Sequence, residues 1–384
     1  MASSPLRVLF LTPYFRPYLG GIERAIEQLS FQLMRRPTVA AVGVLTTKYA
    51  FPRIPQPHWA DRETTPQGIA IFRLNGRPQR SIPLYSVPLV WFSPRQIQGY
   101  LEEFKPNVVH FVGDGWFWGH FWTWFWYRGR ATFVFAPSFH ALPLGRQWLR
   151  PINVFLCRVV DRVVALTRGE KEKVGRTYWV SPRKLEVIGW GVAPPGPASV
   201  VSNRRVFTIL CVGRLGRHKG QEWLLEVYRQ AQPQFACPTR LVLVGRDEGG
   251  EGTIRSQVQE SRLEQEVTIT GEVSDGELAE WYSRSDLFTL FSRYEAFGLV
   301  FFEAMAWGVP VLTHDVGANR ELLARGAAVV SQFDEAAAIG ELVRLVNDNE
   351  YRQRLGREGR EYALAGFTWP AVAEKYLRVY QGSS

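Results

Sequence analysis

The 384-residue sequence holds only three cysteines, three methionines and six histidines. Cys157, Cys211 and Cys237 stand far apart, with neither zinc-ligand nor Cys-x-x-Cys spacing, so a disulfide scaffold, a cysteine zinc module and a dithiol redox centre are excluded. No Asp-x-Asp occurs anywhere, which removes the usual carboxylate pair for a metal on a diphosphate. A glycine-rich loop ending in Gly-Lys-Ser/Thr is also missing, so the chain is not a phosphate-loop nucleoside triphosphatase. Lys and Arg never run longer than two, no nucleic-acid-binding motif is present, and nucleic acid is not an expected partner. The most apolar segment, Trp116 to Tyr127, has 12 residues. A helix needs ~20 to span a bilayer. Met1-Ala2-Ser3-Ser4 runs straight into a strand-like stretch without a charged n-region or cleavage site, so a cytoplasmic chain is expected.

Charge, by contrast, is plentiful and uneven. The formal net charge is +10, and residues 1–195 carry +14 while residues 196–384 carry −4. Ten of the 14 Trp also lie in the first half, so the two halves are expected to meet different surroundings. At 46% hydrophobic and 21% charged residues the chain reads as folded and globular. Its length is a prior for two domains.

Short apolar or β-branched runs alternate with helical-length segments, the pattern of doubly wound α/β domains. In the first half, strands are expected at Leu6–Leu11, Val39–Thr46, Val108–Val112, Thr132–Ala136, Arg162–Leu166 and Leu185–Ile188. The rhythm restarts at Val206–Val212, Leu241–Val244, Val267–Thr270, Leu287–Leu290, Val309–Leu312 and Ala327–Val330. Residues 51–95, rich in Pro and Arg, read as mostly loop. The boundary falls in the Pro-rich stretch 192–199, which can continue neither a helix nor a central strand. Domains 1–195 and 196–366 follow, with a ligand cleft expected between the carboxyl edges of their sheets.

The strongest local signal runs from Ser292 to Val311, with Glu295, Phe297, Gly298, Leu299 and Glu303 inside it. It follows a strand and becomes a helix closed by Gly308. The amides of Phe297, Gly298 and Leu299 would lie unpaired at the helix start, a seat for phosphate. Helical rise would set Glu303 about 12 Å from Glu295, one carboxylate for each end of an elongated ligand. Glu295 also suits a helix cap and Glu303 a surface position, although Phe302 and Ala304 beside Glu303 favour a buried, partnered carboxylate. A second signal is Val212-Gly213-Arg214-Leu215-Gly216-Arg217-His218-Lys219-Gly220, where Arg214 and Lys219 can address a diphosphate as fork and point charge. A basic turn facing water would look the same. The third is Gly20-Gly21, at the start of the first helix, which fits either an approaching anion or a tight turn.

Together these segments resemble the retaining family 4 glycosyltransferases of the GT-B fold. The resemblance extends to Val316-Gly317-Ala318-Asn319-Arg320-Glu321-Leu322 and the closing Phe367-Thr368-Trp369 with Tyr380. It implies two Rossmann-like doubly wound domains, with a C-terminal helix in 367–384 returning to the N-terminal, acceptor-binding domain. Residues like Arg214 and Lys219 neutralise the diphosphate of a nucleotide-sugar donor in that family; the residue like Glu303 holds the ribose and that like Glu295 the donor sugar. Amides at Phe297–Leu299 and at Gly20-Gly21 touch phosphates, and Gly271-Glu272-Val273 packs on the base. His140 matches the acceptor-side histidine near the reacting carbon, while His110 reads as packing. Where the family often has Asn-Gly-Val-Asp, this chain has Trp190-Gly191-Val192-Ala193, and Gly317-Ala318 replaces Gly-Gly. The implied reaction is retaining, metal-independent and free of any cofactor; it moves a hexose from a UDP- or GDP-sugar to a lipid-linked, polysaccharide or small-molecule hydroxyl. A GT-B epimerase or hydrolase, or a non-catalytic nucleotide- or glycan-binding protein, are the alternatives.

Trp116 to Tyr127 is apolar on every helical face, which reads first as a helix buried against the sheet. The sharper reading turns part of it, with Arg128, Arg130, Arg77, Arg80 and Arg95, toward a lipid acceptor or an anionic membrane surface.

Overall fold

The computed structural model describes residues 4–17, 20–50, 54–78, 90–113, 117–137, 150–196 and 206–382. It divides into two compact units, 1–191 with 369–384 and 192–368. The second unit thus starts four residues before, and ends two residues after, the bounds read from the linker.

The sheet of the first unit contains β1 (Leu6–Leu11), β2 (Val39–Thr47), β3 (Arg62–Thr64), β4 (Ala70–Leu74), β5 (Val108–Val112), β6 (Thr132–Ala136), β7 (Arg162–Ala165) and β8 (Leu185–Val187). Their order is β8-β7-β6-β5-β1-β2-β4-β3, parallel except for β3. The chain steps outward from β1 through β2 to β4, then returns to add β5 on the other side of β1. That reversal puts α1 (Gly21–Met34) on one face of the sheet. The other face takes α2 (Pro94–Phe104), α3 (Phe117–Tyr127), α4 (Arg150–Val159) and α5 (Arg168–Tyr178). The last helix of the chain packs beside α1. His110 is buried there, its ring nitrogen 2.8 Å from the Tyr380 hydroxyl, and burial lowers its pKa to about 3. It is a packing residue.

Two readings change here. The stretch read as mostly loop contains β4, a buried parallel strand paired with β2. Arg73 hides it, because a charge in the run Ile69–Leu74 breaks the apolar signal. In the fold Arg73 is 1% exposed, and its guanidinium donates to the carbonyls of Ala60 and Arg16 and to Glu63. Second, α3 is not buried all round: Tyr127, His120 and Thr123 are buried, whereas Phe125 and Trp126 are 37% and 39% exposed.

In the second unit, β9 (Phe207–Val212), β10 (Thr239–Val244), β11 (Val267–Gly271), β12 (Leu287–Thr289), β13 (Val311–His314) and β14 (Ala327–Val330) form an all-parallel sheet of order β11-β10-β9-β12-β13-β14. Its helices are α6 (Gln221–Ala231), α7 (Glu251–Glu260), α8 (Asp275–Ser283), α9 (Leu299–Ala306), α10 (Asn319–Leu322), α11 (Glu335–Asn347) and α12 (Asn349–Gly366). The strand order reverses between β9 and β12, and the crevice outside their carboxyl ends is where open sheets of this kind take ligands. The final helix, α13 (Trp369–Gln381), belongs to the first unit.

Candidate functional site

Two loops meet at that reversal. The loop after β9 turns through Arg217–Lys219 into α6, and the loop after β12 carries Ser292 to Gly298 into α9. They are tied by backbone: the Arg293 amide donates to the His218 carbonyl at 2.9 Å, and the Arg293 side chain donates to the Arg217 carbonyl. Gly220 makes this approach possible. It sits at φ +68°, and a Cβ there would lie 2.1 Å from the Phe291 carbonyl oxygen.

The result is a direct pair: the Lys219 ammonium donates to Glu295 at 2.8 Å, with side-chain exposures of 16% and 13%. Ser292 adds a longer bond to the same carboxylate oxygen at 3.4 Å. Behind it, His314 donates from Nε2 to the Ser292 carbonyl at 2.6 Å and accepts the Phe333 amide on Nδ1. Those two bonds need the neutral imidazole, and burial among Trp223, Phe291 and Phe333 lowers the His314 pKa accordingly.

Arg214 takes another direction. Its guanidinium donates to Glu248 at 2.5 Å, and Arg246 lies 3.8 Å from the same carboxylate. Glu248 is fixed by its own amide on the Leu215 carbonyl, so the β10 loop sets where the Arg214 fork sits. Burial, then Arg214 and Lys219, lower the His218 pKa, which disfavours a further positive charge in this corner.

Gly298, at φ +71°, turns the chain into α9, which begins at Leu299. Four of the eight steps from Glu295 to Glu303 therefore lie outside the helix, so helical rise alone does not set their separation. Among the described residues the amides of Phe297, Gly298 and Leu299 donate to no carbonyl, which leaves them without a backbone partner at the positive end of α9. Glu303 is half-buried, and the Tyr282 hydroxyl donates to it at 2.8 Å. Tyr282 is 2% exposed; burial and then the Glu303 carboxylate hold its hydroxyl protonated and donating. Val273, half-buried, follows the end of β11.

In the first unit the Gly20 amide at the start of α1 already donates to Glu23 at 3.0 Å, while Gly21 faces open space. His140 lies outside the described residues. The structure therefore joins Lys219 with Glu295, sets the unpaired amides at the start of the helix that carries Glu303, and gives Arg214 an anchor. Sequence reasoning missed Tyr282, Glu248 and His314, and it gave Ser292, the first residue of the strongest motif, no role of its own. Tyr282 and Glu248 lie 21 and 34 residues from their partners, a separation at which no local pattern registers.

Tyr282→Phe removes one hydrogen bond from Glu303 and no bulk. If Glu303 binds the ribose, the expected result is a 3- to 10-fold higher donor KM with kcat nearly unchanged, about the net value of one ordinary hydrogen bond. An equal fall in both constants would contradict it.

Two family models match the chain, one described as Glycosyltransferase Family 4 over residues 19–194 and one as Glycosyl transferases group 1 over residues 197–362. Mannosylfructose-phosphate synthase of Agrobacterium fabrum is 28% identical over 254 residues, which is 60% of this chain and 55% of the relative. The match thus spans little more than half of that protein. GDP-mannose:cellobiosyl-diphosphopolyprenol alpha-mannosyltransferase of Xanthomonas oryzae pv. oryzae is 24% identical over 388 residues, covering 98% of this chain and 96% of its own. Among solved structures, sucrose-phosphate synthase from Thermosynechococcus elongatus matches with a TM-score of 0.77 at 22% identity, over 98% of each chain. The fold is GT-B, built of two Rossmann-like α/β domains, as the resemblance implied.

Proposed function

The chain belongs to glycosyltransferase family 4, and from that premise we propose that it is a retaining, metal-independent hexosyltransferase. The donor is a UDP- or GDP-sugar; the acceptor is a hydroxyl on a lipid-linked, polysaccharide or small-molecule substrate. The observation that carries this reading is the Lys219–Glu295 pair beside the open amides at the start of α9. As the bond from the anomeric carbon to the β-phosphate breaks, its electron pair moves to a phosphate oxygen and the sugar becomes oxocarbenium-like. Lys219, Arg214 and the amides of Phe297–Leu299 are fixed positive groups where that negative charge develops, and preorganised donors of this kind usually supply more of the rate enhancement than any other single effect. Glu295 supplies a carboxylate for the sugar, and Glu303 one for the ribose. The acceptor oxygen bonds to the anomeric carbon from the face the phosphate leaves, and its proton passes to the departing phosphate. His140 is proposed as the acceptor-side group, Gly20 and Gly21 as phosphate contacts and Val273 as a base contact. For Gly20 to serve, its amide must exchange Glu23 for the phosphate.

Metal independence rests on the missing Asp-x-Asp and on cationic side chains in its place. Transfer is expected to proceed at an unchanged rate in excess chelator, measured as sugar incorporated into acceptor; a loss restored by magnesium or manganese would overturn this part. Product analysis without acceptor separates transfer from epimerisation and hydrolysis. An anionic membrane is proposed as a second partner, on the charge of +14 in residues 1–195 and on the exposed Phe125 and Trp126. Among the described residues no helix is long and apolar enough to cross a membrane.

A further inference from the structure

In a parallel sheet all strands start at one edge, so the turns leading into them share a side of the domain. In the first unit those turns are basic almost without interruption. Lys105 precedes β5, Arg128 precedes β6, Arg158 and Arg162 flank the entry to β7, and Arg183 and Lys184 lead into β8. β6, β7 and β8 are neighbours. At about 4.8 Å between strands, their entry turns fall within ~10 Å of one another. Arg158, Arg162, Arg183 and Lys184 line one concave basin of about 850 Å³. Arg162 also borders a second hollow, lined in addition by Glu186 and by Lys375 and Arg378 of α13.

Most of the described cations of this edge are unpaired, in contrast to those of the opposite one. At the carboxyl edge, Arg16 pairs with Glu27, Lys48 with Asp61 and Arg73 with Glu63. Among the described residues none of Lys105, Arg128, Arg158, Arg162, Arg183 and Lys184 has a carboxylate within ion-pair distance. Lys184 spends its ammonium on the carbonyls of Arg158 and Val160. The acids of this edge are paired elsewhere or outnumbered: Glu102 holds Arg130 and Glu374 holds Arg36, while Asp161, which accepts the Phe133 amide, and Glu186 line the basin against Arg158, Arg162, Lys171, Arg183 and Lys184. Like charges left unpaired side by side raise the free energy of the folded chain unless an anion offsets them.

Aromatic groups reach the same edge. α3 runs toward the start of β6, so its last turn brings Phe125 and Trp126 there, with the Arg128 guanidinium 4.8 Å from the Phe125 ring centre. Phe121 stacks on Phe125 and Trp122 on Trp126. Phe125 is thus covered by Phe121 and Arg128, and Trp126 has one face occupied, whereas binders of single-stranded nucleic acid offer open ring faces. Aromatic edges among arginines fit the boundary between headgroups and acyl chains.

We infer that the amino-terminal edge of the first unit's sheet is the docking face for an anionic phospholipid bilayer, with Phe125 and Trp126 entering the interface and the entry-turn cations facing the headgroups. This rests on the membrane partner proposed above and adds the side: the bilayer meets the edge opposite the one where the sheet takes ligands.

The test is flotation of the full chain with vesicles of phosphatidylcholine alone and of phosphatidylcholine with phosphatidylserine. Wild type is expected to float with the anionic vesicles only. Binding should fall as the screening length shortens from ~10 Å at 0.1 M salt to ~3 Å at 1 M. Arg158→Glu with Arg183→Glu is expected to weaken partitioning by about tenfold or more. Trp126→Ser should weaken it too. Arg325→Glu with Arg357→Glu, exposed positions of the second unit with the same change of charge, should not. Circular dichroism and the thermal shift given by a nucleoside diphosphate, unaltered in all variants, report on fold and donor site. Equal losses in both double variants would overturn the edge while leaving membrane binding standing. Wild type that floats with no vesicle would remove both, and so would retention of a short RNA in their place. None of these outcomes bears on donor binding, which the nucleotide-induced thermal shift reads without a membrane.

Discussion

Lys219→Ala is expected to slow sugar transfer by about 10²- to 10³-fold, the loss that follows removal of one preorganised donor to a developing oxyanion. It is also expected to erase the stabilisation that UDP or GDP gives the protein. For wild type, the matching nucleotide at 100 times its dissociation constant adds about 2.7 kcal/mol, readable as a melting shift. The pair geometry explains why both effects belong to one residue: Lys219 is held by the Arg217–Lys219 turn and faces Glu295 across 2.8 Å, so its ammonium is in place before any ligand arrives. Deleting it leaves Glu295 without its closest cation in a site of restricted exposure, and a missing partner can itself destabilise. Lys219→Met keeps the stem against Gly213 while removing the charge, and it should lose activity equally with less change in melting temperature. Transfer at the wild-type rate in either variant would overturn the proposed mechanism.

Glu295→Gln is the second large effect, expected at about 10²-fold in kcat with a smaller change in donor KM. Glutamine keeps the shape and a hydrogen-bond acceptor for Lys219, so the ground-state geometry survives. What it removes is the negative charge facing a sugar that turns cationic only on the way to the transition state, and an interaction made there alone appears in kcat. An unchanged kcat with a raised KM would assign Glu295 to holding Lys219 and nothing more. The two variants also differ in nucleotide binding: Glu295→Gln should retain the shift with UDP or GDP that Lys219→Ala loses, because the nucleotide carries no sugar.

Much of the fold was legible because parallel strands buried on both faces must be apolar throughout. Leu6–Leu11, Val108–Val112, Thr132–Ala136 and Ala327–Val330 appear in the structure with the bounds read from sequence. Where a buried strand holds a charge the signal failed, as at Arg73 in β4, whose partners come from Arg16, Ala60 and Glu63. α12 carries little signal in sequence either, because it is strongly polar with three glycines and only one face is buried.

At the site, sequence determined which chemical groups are available: Lys219 after a glycine turn, Glu295 and Glu303 around a helix start, and amides freed by Gly298. It did so because loop-to-helix transitions are local, set by glycine and by the amides a helix cannot pair. Tertiary structure decided which groups meet. Lys219 and Glu295 are 76 residues apart, and their loops touch only because β9 and β12 are adjacent in a sheet whose strand order reverses between them. Tyr282 on Glu303, Glu248 on Arg214 and the shared edge of six entry-turn cations have the same origin. Contacts of that kind depend on the order in which strands assemble, a property of the sheet as a whole and of no segment within it.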